Sequence, residues 1–172
     1  MKNNRTGKFV SINVLEFVTI VINYCAALTA LQEDGCEDPY PVILIWADNT
    51  SSVRWTNHGC RESLIGRALA RFFCVLFMNS KLGINAKWLK GELNELDDAI
   101  SRIKKTNLNN SGHPFFDYSN LKQNYPQLKT CRLFQPSQEL LSAIWEILLT
   151  GKCLTLERIQ KIKQNGLGSL TI

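Results

Sequence analysis

Residues 41–55, PVILIWADNTSSVRW, constrain the fold more than any other stretch. An unbroken apolar run, Val42, Ile43, Leu44, Ile45, Trp46 and Ala47, stops abruptly at Asp48-Asn49. A short run of this kind, partly β-branched or aromatic and opened by proline, predicts a strand buried on both faces. Burial on both faces is the habit of a parallel sheet with helices on either side. Ligands of such sheets bind outside the carboxyl ends of the strands, which is where Asp48 falls. Asp48 therefore has two readings at this point: a site residue, or a cap for the helix that follows, since Asp and Asn are both good N-caps.

A chain of 172 residues has room for one ordinary domain with a helical appendage. With 45% hydrophobic and 20% charged residues it can build a core and is not disordered as a whole. The net charge of +5 is compatible with a polyanionic partner without demanding one. Cys25, Cys36, Cys60, Cys74, Cys131 and Cys153 form no CxxC pair, and several lie in apolar helical patterns. That usage predicts buried, reduced thiols in a cytoplasmic or nuclear protein. His58-Gly59-Cys60 has no second pair at ligand spacing, which argues against zinc. Residues 1–8 are polar, and no secretory h-region with a cleavage site follows. Residues 14–31 approach the length of a membrane span, but Glu16 and Asn23 interrupt them; a buried helix and no membrane partner are expected.

In chain order, residues 8–12 predict a short strand. Asn13 stands three residues before Glu16, as in a capping box, with Asn in place of Ser or Thr. Val14, Leu15, Val18, Val21, Ile22, Cys25 and Leu28 recur at helical spacing and predict a helix over 14–31. Glu16 either bonds the Asn13 amide or projects a carboxylate toward Asp48. The acidic residues 32–40 read as a solvated turn. Residues 50–58 predict a short helix ended by Gly59, and 63–79 a longer one with Ile65, Leu69, Phe72, Phe73 and Leu76 inward. Arg67 and Arg71 stand one turn apart on the longer helix, with Arg54 and Arg61 before it. Four such guanidinium groups suit phosphates, although exposed arginines are commonplace on amphipathic helices.

Residues 84–89 predict a strand, 90–94 a turn, and 95–105 a helix whose Asp97 and Asp98 suit the positive end of its dipole. Residues 106–113 have linker composition. Beyond them, Pro136-Ser137 opens a helix carrying Leu140, Leu141, Ile144, Trp145 and Leu148 and closed by Gly151; residues 154–164 predict another. Trp46, Trp55, Trp88 and Trp145 are expected in the core. No internal repeat, phosphate-binding glycine loop, GxSxG or HExxH is present.

Three segments carry a resemblance to the ribonuclease H domain of retroelement reverse-transcriptase polyproteins. INVLEF, residues 12–17, is similar to the family's "IN.LEL" at its first helix; WADNTSSVRW, residues 46–55, looks like "DN..A...W"; GELNELDDAISR, residues 91–102, resembles "G..N..ADALSR". In the last, Gly91, Asn94, Asp98, Ser101 and Arg102 match, and Asp97 stands where the family has Ala. The versions it resembles belong to DIRS-like and related elements. The likeness covers residues 8–105 well and the tail loosely.

The resemblance implies an α/β fold: an incomplete ribonuclease H-like mixed sheet flanked by helices over residues 1–105, then a linker and helical tail over 106–172. It implies Glu16, Asp48 and Asp98 as catalytic carboxylates and ligands of Mg²⁺ or Mn²⁺, since hard cations prefer carboxylate oxygens. Two-metal hydrolysis of the RNA strand of an RNA–DNA hybrid is the implied reaction. Asp48 would face the attacking-water metal, Glu16 the leaving-group metal, and Asp98 the edge of the first. Asn49, Ser51, Arg54, Arg61, Arg67, Arg71 and Asn94 would contact nucleic acid, by backbone shape more than base identity. The family's leading, metal-bridging aspartate has no counterpart, because no residue before Glu16 is acidic. A fragment of a polyprotein, related to the nuclease and inactive by itself, is therefore expected, with the remainder of the polyprotein as a partner. The alternative is a non-catalytic module binding nucleic acid or protein on the same fold.

Overall fold

The structure, a computed structural model, describes residues 10–35, 37–78, 80–94, 122–123 and 125–171. The chain is mixed α/β and divides into two compact units, Met1–Leu89 with Phe134–Thr171, and Lys90–Leu133 with Ile172. In the first unit the order is α1 (Ile12–Asp34), β1 (Val42–Ala47), α2 (Thr50–His58), α3 (Leu64–Met78), β2 (Gly83–Trp88), β3 (Leu133–Pro136, which starts one residue earlier), α4 (Gln138–Thr150), α5 (Leu156–Gln164) and β4 (Gly168–Thr171). The second unit contains short 3₁₀ turns at Gly91–Leu93 and Pro126–Leu128 among its described residues. The helix expected over 95–105, including Asp97 and Asp98, and the linker expected over 106–113 lie outside the described residues.

Local signals account for most element ends. Ser137 and Thr155 cap α4 and α5 by accepting hydrogen bonds from Leu140 N and Arg158 N. Ser63 does the same for α3, its Oγ accepting from Gly66 N at 3.1 Å. Gly151 ends α4 in the left-handed region at φ 65°, a conformation that favours glycine. α1 departs from expectation. Its N-cap is Ser11, whose hydroxyl accepts from Val14 N at 3.4 Å, so Asn13 lies inside the helix and the Asn13–Glu16 capping box does not form. Because the helix opens at Ile12, no strand extends through residues 10–12; residues 8 and 9 are outside the described set.

One core serves the first unit. Val14, Phe17, Ile20, Val21, Tyr24, Cys25 and Leu28 of α1 join Leu69, Phe72, Phe73 and Leu76 of α3, with Leu140, Ala143, Ile144 and Ile147 of α4 and Ile159 and Ile162 of α5. Edge-to-face contacts link it: Phe17 to Trp55 at 5.9 Å and Tyr24 to Phe73 at 5.1 Å between ring centres. The Tyr24 hydroxyl bonds the Ser80 hydroxyl and donates to Leu82 O. α1 is long and apolar enough to cross a membrane by length and composition alone, and half of its apolar window is buried inside the protein. Two of the described cysteines, Cys25 and Cys60, are buried; Cys74, Cys131 and Cys153 are exposed, against the expectation of buried thiols. Their helical and loop positions face outward, which apolar neighbours in sequence do not reveal.

β1 and β2 pair in parallel, from Val42 opposite Gly83 to Ala47 opposite Trp88, with α2 and α3 as the crossover. The strand expected to be buried on both faces is not. Within β1 only Ile45 is buried, while Ile43 and Ala47 are half-buried and Val42, Leu44 and Trp46 are exposed. The described helices cover one face of this sheet, so the alternate side chains meet solvent. Trp46, Trp88 and Trp145 are accordingly half-exposed and only Trp55 is core, which corrects the expectation of burial for all four. Among the described residues there are two two-stranded sheets, β1–β2 and β3–β4, the second adding two short strands to the helical tail. Gly168 permits the second sheet: a Cβ there would collide with Gln135 O and the Phe134 ring.

Candidate functional site

The C-terminal end of β1 meets the first turns of two helices. Asn49 is the N-cap of α2, its Oδ1 accepting from Ser52 N at 3.0 Å, and buried Ser52 donates its hydroxyl to Asn49 O at 2.8 Å. The remaining half of the amide reaches across the fold, Asn49 Nδ2 donating to Asn13 Oδ1 at 2.9 Å. Asn13 lies in the first turn of α1, so this bond ties the starts of α1 and α2 together. Glu16 follows Asn13 by three residues, on the same side of the helix, and is half-buried. Asp48 precedes Asn49 and is exposed; its backbone carbonyl accepts from Trp88 Nε1 at 3.1 Å, which anchors the end of β1 to the end of β2.

The backbone positions carrying Glu16 and Asp48 therefore share one corner, and Asp98 lies outside the described residues. No group of three His, Cys, Asp or Glu side chains able to hold a metal exists among the described residues. A hard cation takes six or more oxygens, commonly from several carboxylates. Among the described residues, Glu16 and Asp48 supply part of such a set.

The candidate nucleic-acid residues separate into kinds. Asn49 is committed structurally at both ends of its amide, and Ser51 is half-buried in the first turn of α2. Arg54 pairs with Glu62, Nη1 to Oε1 at 3.5 Å, both largely exposed. The Glu62 carboxyl is held below the usual carboxylate range, first by backbone N–H groups of Glu62 and Arg61, then by Arg54 and the Trp55 indole. This knot shapes the loop joining α2 to α3. Arg61, Arg67 and Arg71 are exposed, with Arg67 and Arg71 on one outward face of α3. Asn94 belongs to the second unit, where its N–H bonds Gly91 O at 3.0 Å.

Two features escaped the sequence. Asn57 Nδ2 donates to Ala86 O at 2.8 Å and its Oδ1 accepts from Ala86 N at 3.2 Å, so one side chain acts as a strand on the outer edge of β2. An amide near the end of a helix carries no signal for a contact 29 residues away. Beside it, Trp55, Asn57, His58, Phe73, Cys74 and Phe77 are among the residues lining a groove of about 430 Å³, away from the acidic corner and without a carboxylate. No family model matches the chain, and neither the curated proteins nor the solved structures contain a match.

Proposed function

We propose that the chain is a ribonuclease H-related module of a retroelement polyprotein that does not hydrolyse nucleic acid by itself. One observation supports this reading above the others: the Asn13–Asn49 hydrogen bond, which brings the Glu16 turn of α1 to the Asp48 end of β1. The resemblance implies that the strand before Asp48 and the strand over residues 84–89 are neighbours in one sheet, and the parallel pairing of β1 with β2 across a helical crossover is compatible with that. Among the described residues no three-ligand cluster accompanies Glu16 and Asp48, which favours the inactive form over a working nuclease. The test is a labelled RNA–DNA hybrid incubated with the chain and Mg²⁺ or Mn²⁺, beside Asp48→Asn. No cleavage above background is expected from either. Cleavage by the unsubstituted chain that Asp48→Asn abolishes would overturn inactivity.

A second reading, a non-catalytic nucleic-acid-binding module, is favoured by the exposed Arg61, Arg67 and Arg71, the last two on one outward face of α3. Phosphate contacts by these groups make binding fall with salt, by roughly one power of salt concentration per contact. Titration of a fluorescent hybrid at several salt concentrations measures that slope. Arg67→Ala with Arg71→Ala lowers it if the reading holds and leaves it unchanged if it does not.

A further inference from the structure

The two edges of the β1–β2 sheet differ. The outer edge of β2 is engaged by the Asn57 amide at Ala86. The outer edge of β1 has no strand beside it among the described residues. Pro41 O and Ala47 O accept from Gly83 N and Leu89 N, so the odd-numbered residues of β1 turn their peptide groups toward β2. Alternation along the strand then directs the N–H and C=O of Val42, Leu44 and Trp46 outward. Their side chains are 66%, 45% and 51% exposed. The usual guards of an open edge are a lysine, a proline or a bulge. β1 carries no charge, and Lys87 of β2 lies over the Trp46 ring at 5.7 Å.

We infer that this edge joins two copies of the chain, with β1 antiparallel to its equivalent about a twofold axis at Leu44. The register is self-complementary. Leu44 meets its own equivalent and Val42 meets the equivalent of Trp46, so each outward N–H and C=O finds an outward group, as the hydrogen-bonded pairs of an antiparallel ladder require. On the exposed face the pairs are Leu–Leu and Val–Trp; β-branched and aromatic partners favour each other across strands, and no like charges oppose. Pro41 leaves no gap, because its missing N–H faces β2. Two strands become four, and the isologous twofold contact uses the same edge on both copies, which closes the assembly at two. This inference does not depend on the nuclease reading.

Sedimentation equilibrium of the full chain from about 1 to 100 μM tests it. A reversible monomer–dimer equilibrium is expected. Leu44→Pro removes only the outward N–H, and Leu44→Lys restores the ordinary guard; each should weaken the dimer at least about tenfold with unchanged far-UV circular dichroism. A chain that stays monomeric overturns the inference, as does open-ended growth without a dimer, or a dimer that Leu44→Lys leaves intact. Should Leu44→Pro fail to fold, Leu44→Lys decides alone. A foreign strand or a nucleic acid occupying the edge would appear as association only when it is added, and that too counts against a self-pairing edge.

Discussion

α1 and β1 are both apolar runs, yet one is packed along most of its length and the other is open along a face and an edge. Phe17, Val21, Tyr24 and Cys25 of α1 are fully buried, while β1 keeps a single buried residue, Ile45. What separates them is neighbours. α1 is flanked by α2, α3 and β4, whereas the described residues supply β1 with one strand and one covered face. Apolar content draws a segment toward a core, but distant parts of the chain decide whether anything arrives to cover it.

Substitutions at matched positions sharpen that contrast. Phe17→Ala should destabilise the chain by about 3–5 kcal/mol in urea unfolding, the range for truncating a buried aromatic. A loss below about 1 kcal/mol would mean that α1 is far less packed than its burial indicates. Next is Asn57→Ala, which leaves both Ala86 backbone groups without their partner; about 1–3 kcal/mol is expected, with faster hydrogen exchange at Ala86 N. Unchanged exchange there would dissociate Asn57 from the sheet edge.

Alkaline pH probes the α1 side alone. Burial pushes the Cys25 thiol up from 9.0 to about 12, and burial also raises Tyr24. The folded state keeps the thiol protonated where the unfolded chain has begun to lose its proton, so the stability it supplies is complete below about pH 9 and is lost between there and pH 12. From pH 9 to 10 the loss is of order 1 kcal/mol. Cys25→Ala should flatten that part of the profile, as measured by urea midpoints at each pH, and an unaltered slope would remove Cys25 as its source. The smallest effect belongs to β1: Trp46→Ala, on the solvent face, should cost no more than about 0.5 kcal/mol in the monomer. A loss of several kcal/mol would show that Trp46 is covered after all.

Much of the helical part was legible, for reasons visible in particular residues. Gly59 and Gly151 mark helix ends, Ser137 marks a start, and the spacing of Leu69, Phe72, Phe73 and Leu76 repeats with the turn of α3. The α1 start was misplaced by two residues because Ser11 and Asn13 both qualify as caps, and only the cross-fold bond to Asn49 shows how Asn13 is used. β3 and β4 were not anticipated: each is four residues long, one ending in Pro136 and the other beginning with Gly168. The acidic corner was legible as residue types in order. Asn49 as its fastener was not, since an N-cap explains that residue completely until its second hydrogen bond is seen.

Taken alone, the sequence determined where helices and the two longer strands run, because caps, periodicity and turn residues act over a few positions and need no outside partner. Only the tertiary structure decided which apolar faces are covered, how Asn13 and Asn49 fasten the corner holding Glu16 and Asp48, and that one edge of the sheet is engaged while the other has no strand beside it among the described residues. Those outcomes depend on contacts between segments tens of residues apart, where shape, and not local spacing, selects the partner.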